Sequence, residues 1–267
     1  MSGQTIFEIL PAGRRNWAVG SIHGEVERLR TLHQAVAERI KPEDNLLYLG
    51  NFLGCGGAVA ATVQELLLLR RALLAKQTFD GAGSIVYLRG RQEEMWHKLL
   101  QVQFAPNPRE VLEWMLGHGV GPTLEAYGGN IEEGRRAAAM GAVALSSWTN
   151  RLRATMRQWD GHDRLINALR RAAFTADQAL LFVSAGVDAS RPLSEQTDTF
   201  WWGGRDFDDI DQPYSDFQMV VRGFDYRHKG AWFKSHVSSI DGGCGFGGRL
   251  HAVCFDAEGR ALESLEA

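Results

Sequence analysis

Short apolar runs that stop abruptly at glycine or a polar turn recur along the first third of the chain, at Trp17–Val19, Leu46–Leu49 and Ile85–Leu88. Runs of this length, bounded by turn residues, predict buried strands. Each leads into a helical period. Leu29, Leu32, Val36 and Ile40 recur at helical spacing until Pro42 stops the pattern. A second, more fully apolar helix is predicted from Val59 to Ala75, through Leu66, Leu67, Leu68 and Leu69. Strand, turn and helix in repeated order predict an α/β core with ligand-binding groups at the strand ends.

Between Pro106 and Ala179 the pattern turns helical. It holds an apolar stretch at Val111–Leu116, an alanine-rich one at Glu132–Leu145 and an amphipathic one at Leu165–Ala173, punctuated by Gly117, Gly119, Gly121, Gly128 and Gly129. No linker sets this region apart, so residues 106–179 are expected to form a helical insertion within a single domain, 1–267. Strand periodicity returns at Leu180–Val183, Met219–Val221, Trp232–Ile240 and Leu250–Phe255, predicting a second sheet. The tract Asp241-Gly242-Gly243-Cys244-Gly245-Phe246-Gly247-Gly248 is too rich in glycine for a strand interior and reads as a close backbone approach at the edge of a site.

A chain of 267 residues, 45% hydrophobic, is long enough to bury about 70 to 75% of its unfolded surface around one core. Its net charge of −3, with both signs mixed along the chain, provides no nucleic-acid or membrane signal. The first residues lack a secretory pattern and no apolar run approaches the roughly 18 residues of a membrane span, so a cytoplasmic location is expected. Cys55, Cys244 and Cys254 form no CxxC pair and are expected to be structural thiols. A reactive Cys55, activated by Arg91 or His23, is the alternative.

Glycine frames the turn after each of the first predicted strands: Gly20-Ser21-Ile22-His23-Gly24, Gly50-Asn51-Phe52-Leu53-Gly54-Cys55-Gly56 and Arg89-Gly90-Arg91-Gln92-Glu93. Two later strand ends read Val183-Ser184-Ala185-Gly186-Val187-Asp188 and Val220-Val221-Arg222-Gly223-Phe224. In this order they resemble the metal-binding elbows of the calcineurin-like metallophosphoesterases, in the branch of the serine/threonine phosphoprotein phosphatases and diadenosine tetraphosphatases. That family reads Gly-Asp-x-His-Gly, Gly-Asp-x-x-Asp-Arg-Gly and Gly-Asn-His-Glu at its elbows, then Val-His-Ala-Gly-Val-Asp and Val-Val-His-Gly-His. Arg191-Pro192-Leu193, Phe200-Trp201-Trp202 and Ile240-Asp241-Gly242-Gly243 also stand in the family's order, so the resemblance spans Trp17 to Phe255. It implies a four-layer α-β-β-α sandwich with two mixed β-sheets and the helical insertion.

The resemblance also implies a site for two adjacent divalent ions, which polarise a phosphate and acidify a bridging water. Carried over position by position, the first aspartate is Ser21 while His23 is kept, and the aspartate shared between the metals is Asn51. Gly54 replaces the second aspartate of that elbow and Cys55 the phosphate-gripping arginine. Arg91 replaces the ligand asparagine, Gln92 the proton-donating histidine, and Glu93 is kept. Ser184 and Phe224 replace the later histidines, so five of the six ligand positions compared are changed. Neutral and cationic groups do not concentrate divalent ions. The expectation is a degenerate member, or pseudophosphatase: a catalytically inactive homologue with no catalytic residue, metal or cofactor, acting as a protein-binding or phosphate-sensing module. The alternative is an atypical phosphoprotein or dinucleotide-polyphosphate phosphatase, in which His23 and compensating ligands hold two divalent ions such as manganese.

Two uses of the altered hollow stay open. His23, Arg89, Arg91, Arg205 and Arg222 bring donors toward the strand ends and suit a phosphorylated partner or a small phosphate or nucleotide ligand. Equally, the arginines pair with Glu93, Asp188, Asp206 or Asp241 and fill the hollow. His33 is expected to be packed or capping. Trp201, Trp202 and Phe207 are expected to anchor between the sheets or to line a partner groove, and Asp206, Asp208, Asp209 and Asp211 to form a solvated loop.

Overall fold

The computed structural model describes residues 6–76, 82–204 and 206–267. In chain order it contains β1 (Phe7–Leu10), β2 (Asn16–Val19), α1 (Val26–Ala37), β3 (Asn45–Tyr48), α2 (Val59–Lys76), β4 (Ile85–Tyr87) and α3 (Arg91–Leu99). The helices α4 (Pro108–Gly117), α5 (Gly121–Ala126), α6 (Ile131–Met140), α7 (Ala142–Gln158) and α8 (His162–Asn167) follow. The rest comprises β5 (Ala172–Thr175), β6 (Leu180–Val183), α9 (Thr199–Trp202), β7 (Met219–Arg222), β8 (Trp232–Phe233), β9 (Val237–Ser239), β10 (His251–Phe255) and β11 (Ala261–Glu266).

These strands make two mixed sheets, ordered β1-β5-β6-β7-β9-β8 and β11-β10-β2-β3-β4. The two-residue period of a strand decides which layer each side chain joins. Ala18, Leu47 and Val86 face inward and meet Phe182, Val221 and Val253 between the sheets. Their neighbours Trp17, Val19, Leu46 and Tyr48 face outward, onto Leu29, Leu32 and Val36 of α1 and Val63 and Leu66 of α2. On the other side of the sandwich, Leu181, Val183, Val220 and Val237 are covered by Phe200, Trp201, Phe207, Tyr214 and Phe217. This fourth layer is thin, being α9 and two single 3-10 turns, Leu193–Glu195 and Phe207–Asp209. Trp201 and Phe207 therefore cap the outer face of a sheet instead of lying between the two sheets, as the sequence had suggested. No helix among the described residues is long and apolar enough to cross a membrane.

Other sequence expectations are redrawn by context. The alanine-rich stretch is two helices, because Gly141 takes φ 99° between α6 and α7. The amphipathic segment Leu165–Ala173 is helical only to Asn167; Ala172 then starts β5, in parallel register with β1. Trp232–Ile240 splits into β8 and β9, which pair antiparallel. The edge strands β1 and β11 lack a strong apolar signal and escaped the sequence reading. The helical region shares the core under α3, where Trp96 lies beside Val120, Leu124, Tyr127, Trp148 and Leu152. His33 is packed, with Nδ1 2.7 Å from Glu65 and Nε2 2.9 Å from the Tyr48 hydroxyl.

Candidate functional site

Six strand ends converge at one edge of the sandwich. The turns after β2, β3 and β4 present Ser21 and His23, Asn51, and Arg91; those after β6, β7 and β9 present Ser184, Phe224 and Asp241. The turns are sharp. His23, Asn51 and Cys55 have φ of 54°, 53° and 55°, in the sparsely populated left-handed region for residues other than glycine. Backbone bonds lock the turns together: the Ile22 and His23 amides donate to Asn51 O at 3.0 and 2.7 Å, and the Ser21 amide donates to Gly223 O at 3.0 Å.

The side chains then form a closed network. Ser21 Oγ donates to Gly223 O at 3.0 Å and accepts from Asn51 Nδ2 at 3.2 Å. Asn51 Oδ1 accepts the Gln92 amide at 3.0 Å. Glu93, fully buried, accepts the amides of Asn51 and Gly90 at 2.8 Å each and of Leu53 at 3.0 Å. Burial pushes its carboxyl above the ordinary range against those three bonds. Asp241 likewise accepts from the Asp225 and Gly243 amides at 2.8 and 2.9 Å and lies 3.0 Å from His228 Nδ1. Gln92 turns away from the hollow: its Nε2 donates to His118 O at 2.9 Å and lies 3.6 Å from Cys55 Sγ. It occupies the space over Gly54, where an added Cβ would come within 2.2 Å of Gln92 Oε1. Ser184 Oγ is buried without a hydrogen-bond partner among the described residues.

Aromatic rings fill what remains. His23, with no exposed surface, meets Phe224 and Phe246 edge-on at 5.6 and 5.1 Å, and neither ring nitrogen has a hydrogen-bond partner among the described residues. Burial, reinforced by Arg91 and His228 and opposed by Asp241, lowers it to about 3. The Arg91 guanidinium lies 4.8 Å over the Phe224 ring and 6.0 Å from Trp202. Burial pulls it below its ordinary value, and it has no carboxylate partner among the described residues. Trp202 continues through Trp114, 5.4 Å away, to His118, stacked on Trp114 at 4.2 Å. Trp114 and His118 went unnoticed in the sequence, and only the Phe246 glycine tract hinted at the lid over His23.

The suggested anion cleft comes together only in part. Arg222 is buried in β7, where Nη2 lies 2.9 Å from both Asp208 and Asp225, Nε donates to Ser239 Oγ, and Phe207 stacks 4.5 Å away. Arg89 pairs with Glu94 at 3.0 Å. Arg205 lies outside the described residues. Asp208 also takes Lys229 at 2.7 Å, so the aspartates of this stretch include an ion-pair hub and not only a solvated loop. Of the carboxylates suggested as partners for the arginines, none pairs with Arg91 among the described residues: Glu93 and Asp241 hold backbone amides, Asp188 holds Ser190, and Asp206 makes no ion pair there.

This donor set does not match a pair of divalent cations. Two hydroxyls, an amide, one imidazole, a guanidinium and a phenyl ring stand at the ligand positions, and the nearest carboxylates are already committed. Among the described residues, no group of three or more His, Cys, Asp or Glu side chains is placed to hold a metal. Cys55 is no activated thiol either, since burial pushes it up to about 11 despite the opposing Arg91 charge.

Neither a family model nor a curated protein sequence matches the chain. Solved structures do. One provisionally assigned as a diadenosine tetraphosphatase shares 20% identity, with 98% of each chain covered at a TM-score of 0.55. The fold is that of the metallophosphoesterases. A cold-active protein tyrosine phosphatase shares 13% identity, covering 99% of this chain and 81% of that one at a TM-score of 0.50. At such identities the likeness speaks to the metallophosphoesterase fold alone. The chemistry must come from the strand-end residues just described.

Proposed function

We propose that this protein is a catalytically inactive metallophosphoesterase homologue that works by binding. One observation carries the reading: a guanidinium, Arg91, packs on an aromatic ring, Phe224, with both at positions where the family's sequence pattern places metal ligands. A cation there opposes divalent ions electrostatically, and the Phe224 and Phe246 rings around His23 exclude the water that hydrolysis consumes. Metal analysis of purified protein, with assays against a phosphoprotein and a dinucleotide polyphosphate in added manganese, tests the reading. The expected result is substoichiometric metal and no turnover. Stoichiometric metal with turnover that His23→Asn abolishes would establish the atypical phosphatase instead.

A phosphate-sensing role is supported by Arg91 itself, a part-buried guanidinium with no carboxylate partner among the described residues. Inorganic phosphate titrated against the protein should raise its thermal midpoint, and Arg91→Leu should remove the rise. Equal responses in both proteins would leave protein binding without phosphate sensing.

A further inference from the structure

Away from the strand ends, a groove of about 720 Å³ runs along the outer edge of β4, between α2 and α8. Its floor is the main chain of Ser84 to Tyr87, and Leu67 and Leu165 supply apolar wall. In a parallel ladder, alternate residues direct both backbone groups to the same side. Ser84 O accepts the Leu46 amide and the Leu88 amide donates to Tyr48 O, so Val86 faces β3 while Ile85 and Tyr87 face the groove. Tyr87 O accepts the Arg170 amide at 2.9 Å. The Ile85 amide, the Ile85 carbonyl and the Tyr87 amide have no partner among the described residues. Tyr87 is only 7% exposed, so an unpaired amide there is costly to leave without an acceptor.

The groove is also basic. Arg70, Arg71, Arg164 and Arg170 line it, against two carboxylates, Glu8 and Asp160. Both carboxylates are engaged, Glu8 by Arg170 at 2.9 Å and Asp160 by Arg71 and Arg164 at 3.0 and 3.5 Å. Arg70 has no carboxylate partner among the described residues, and Arg70, Arg71 and Arg164 are exposed.

We propose that this groove binds an extended, acidic segment of a partner protein, which adds to β4 as a short sixth strand of that sheet. Donor, acceptor and donor spaced along one strand edge complement another extended chain, whereas a simple anion would leave the Ile85 carbonyl unmet. The arginines select acidic side chains on the incoming strand. The added ladder is short, because Arg170 already takes Tyr87 O and bridges to Leu88.

The test uses a fluorescein-labelled, end-capped peptide of alternating valine and glutamate, the same peptide with lysine for glutamate, and a glutamate version with N-methylated backbone amides. Fluorescence anisotropy should show saturable binding of the first, weakened at least about tenfold in the other two and in an R70E/R71E protein. Hydrogen exchange of the Ile85 and Tyr87 amides should slow on binding. I85P, which removes an outward-facing donor on an edge strand together with the Ile85 side chain that packs on the core, should weaken binding as well; the N-methylated peptide tests the same bond with the protein unaltered. No saturable binding at millimolar peptide, equal binding of the lysine or N-methylated peptide, or full displacement by free glutamate or phosphate would each overturn the proposal. Arg91 plays no part in this groove, so its outcome is independent of the strand-end reading.

Discussion

Replacing His23 by asparagine should flatten the protein's sensitivity to acid. The imidazole is wholly buried between aromatic rings, both nitrogens lack hydrogen-bond partners among the described residues, and burial takes it from 6.5 to about 3. Between those values the unfolded chain binds a proton that the folded chain refuses, so stability is complete above the unfolded value and falls as the pH drops. The loss is about 1.4 kcal/mol per pH unit below about 6.5, or about 2 kcal/mol at about pH 5. For a chain of this size that corresponds to about 4 to 8 °C in thermal midpoint. Asparagine tolerates the left-handed φ of 54° that this turn imposes and does not titrate. His162, His97 and His251, also lowered by burial, titrate alike in both proteins and drop out of the comparison. Urea unfolding of wild type and H23N at about pH 8 and about pH 5 measures the difference. Parallel losses in the two proteins would refute a buried, neutral His23. A wild-type profile that changes with added manganese and chelator would refute its being unligated.

Glu93→Gln should destabilise the protein by about 2 kcal/mol, because a carboxamide puts its own donor against one of three buried amides that the carboxylate accepts. Urea midpoints measure this, and a change near zero would show that those amides find other partners. Gly245→Ala should cost about 1 to 3 kcal/mol, since φ is 85° and the new Cβ would lie 2.4 Å from His23 Cβ; an unchanged thermal midpoint would show that the lid over His23 is loose. At neutral pH the native thiols Cys55, Cys244 and Cys254, pushed up to about 11, 12 and 11 by burial, should react slowly with a chromogenic disulfide reagent, and all should react at once in denaturant. Fast labelling of the native protein would contradict the burial of Cys55.

Much of the scaffold was legible because its signals are local. Trp17–Val19 and Leu46–Leu49 are apolar enough to be read as buried strands, and the glycines after them mark where the chain must turn. Two of the edge strands, β1 and β11, were not legible, because a strand paired on one side needs little apolar content: Ala261–Glu266 is mostly exposed and takes its place through pairing with β10. The helical period of Leu165–Ala173 does not reveal that Ala172 and Ala173 are claimed by a sheet, between β6 just downstream and β1 far away in sequence.

For the candidate site, the sequence by itself determined which residue types stand at the strand ends. Ser21, Asn51, Arg91, Ser184 and Phe224 stand at strand ends whatever their side chains do, and none is an anionic ligand. Only the tertiary structure decided what fills the hollow. Arg222 and Arg91 look interchangeable in sequence as cations near strand ends, yet one is held by Asp208 and Asp225 while the other rests on Phe224 without a carboxylate among the described residues. The reason is physical: residue type sets the charge a position carries, but neighbours from distant strands set whether that charge is paired, buried or left to meet a ligand. The same holds at β4, where the strand edge and the arginines around it come from three separate stretches of chain and meet only in the folded molecule.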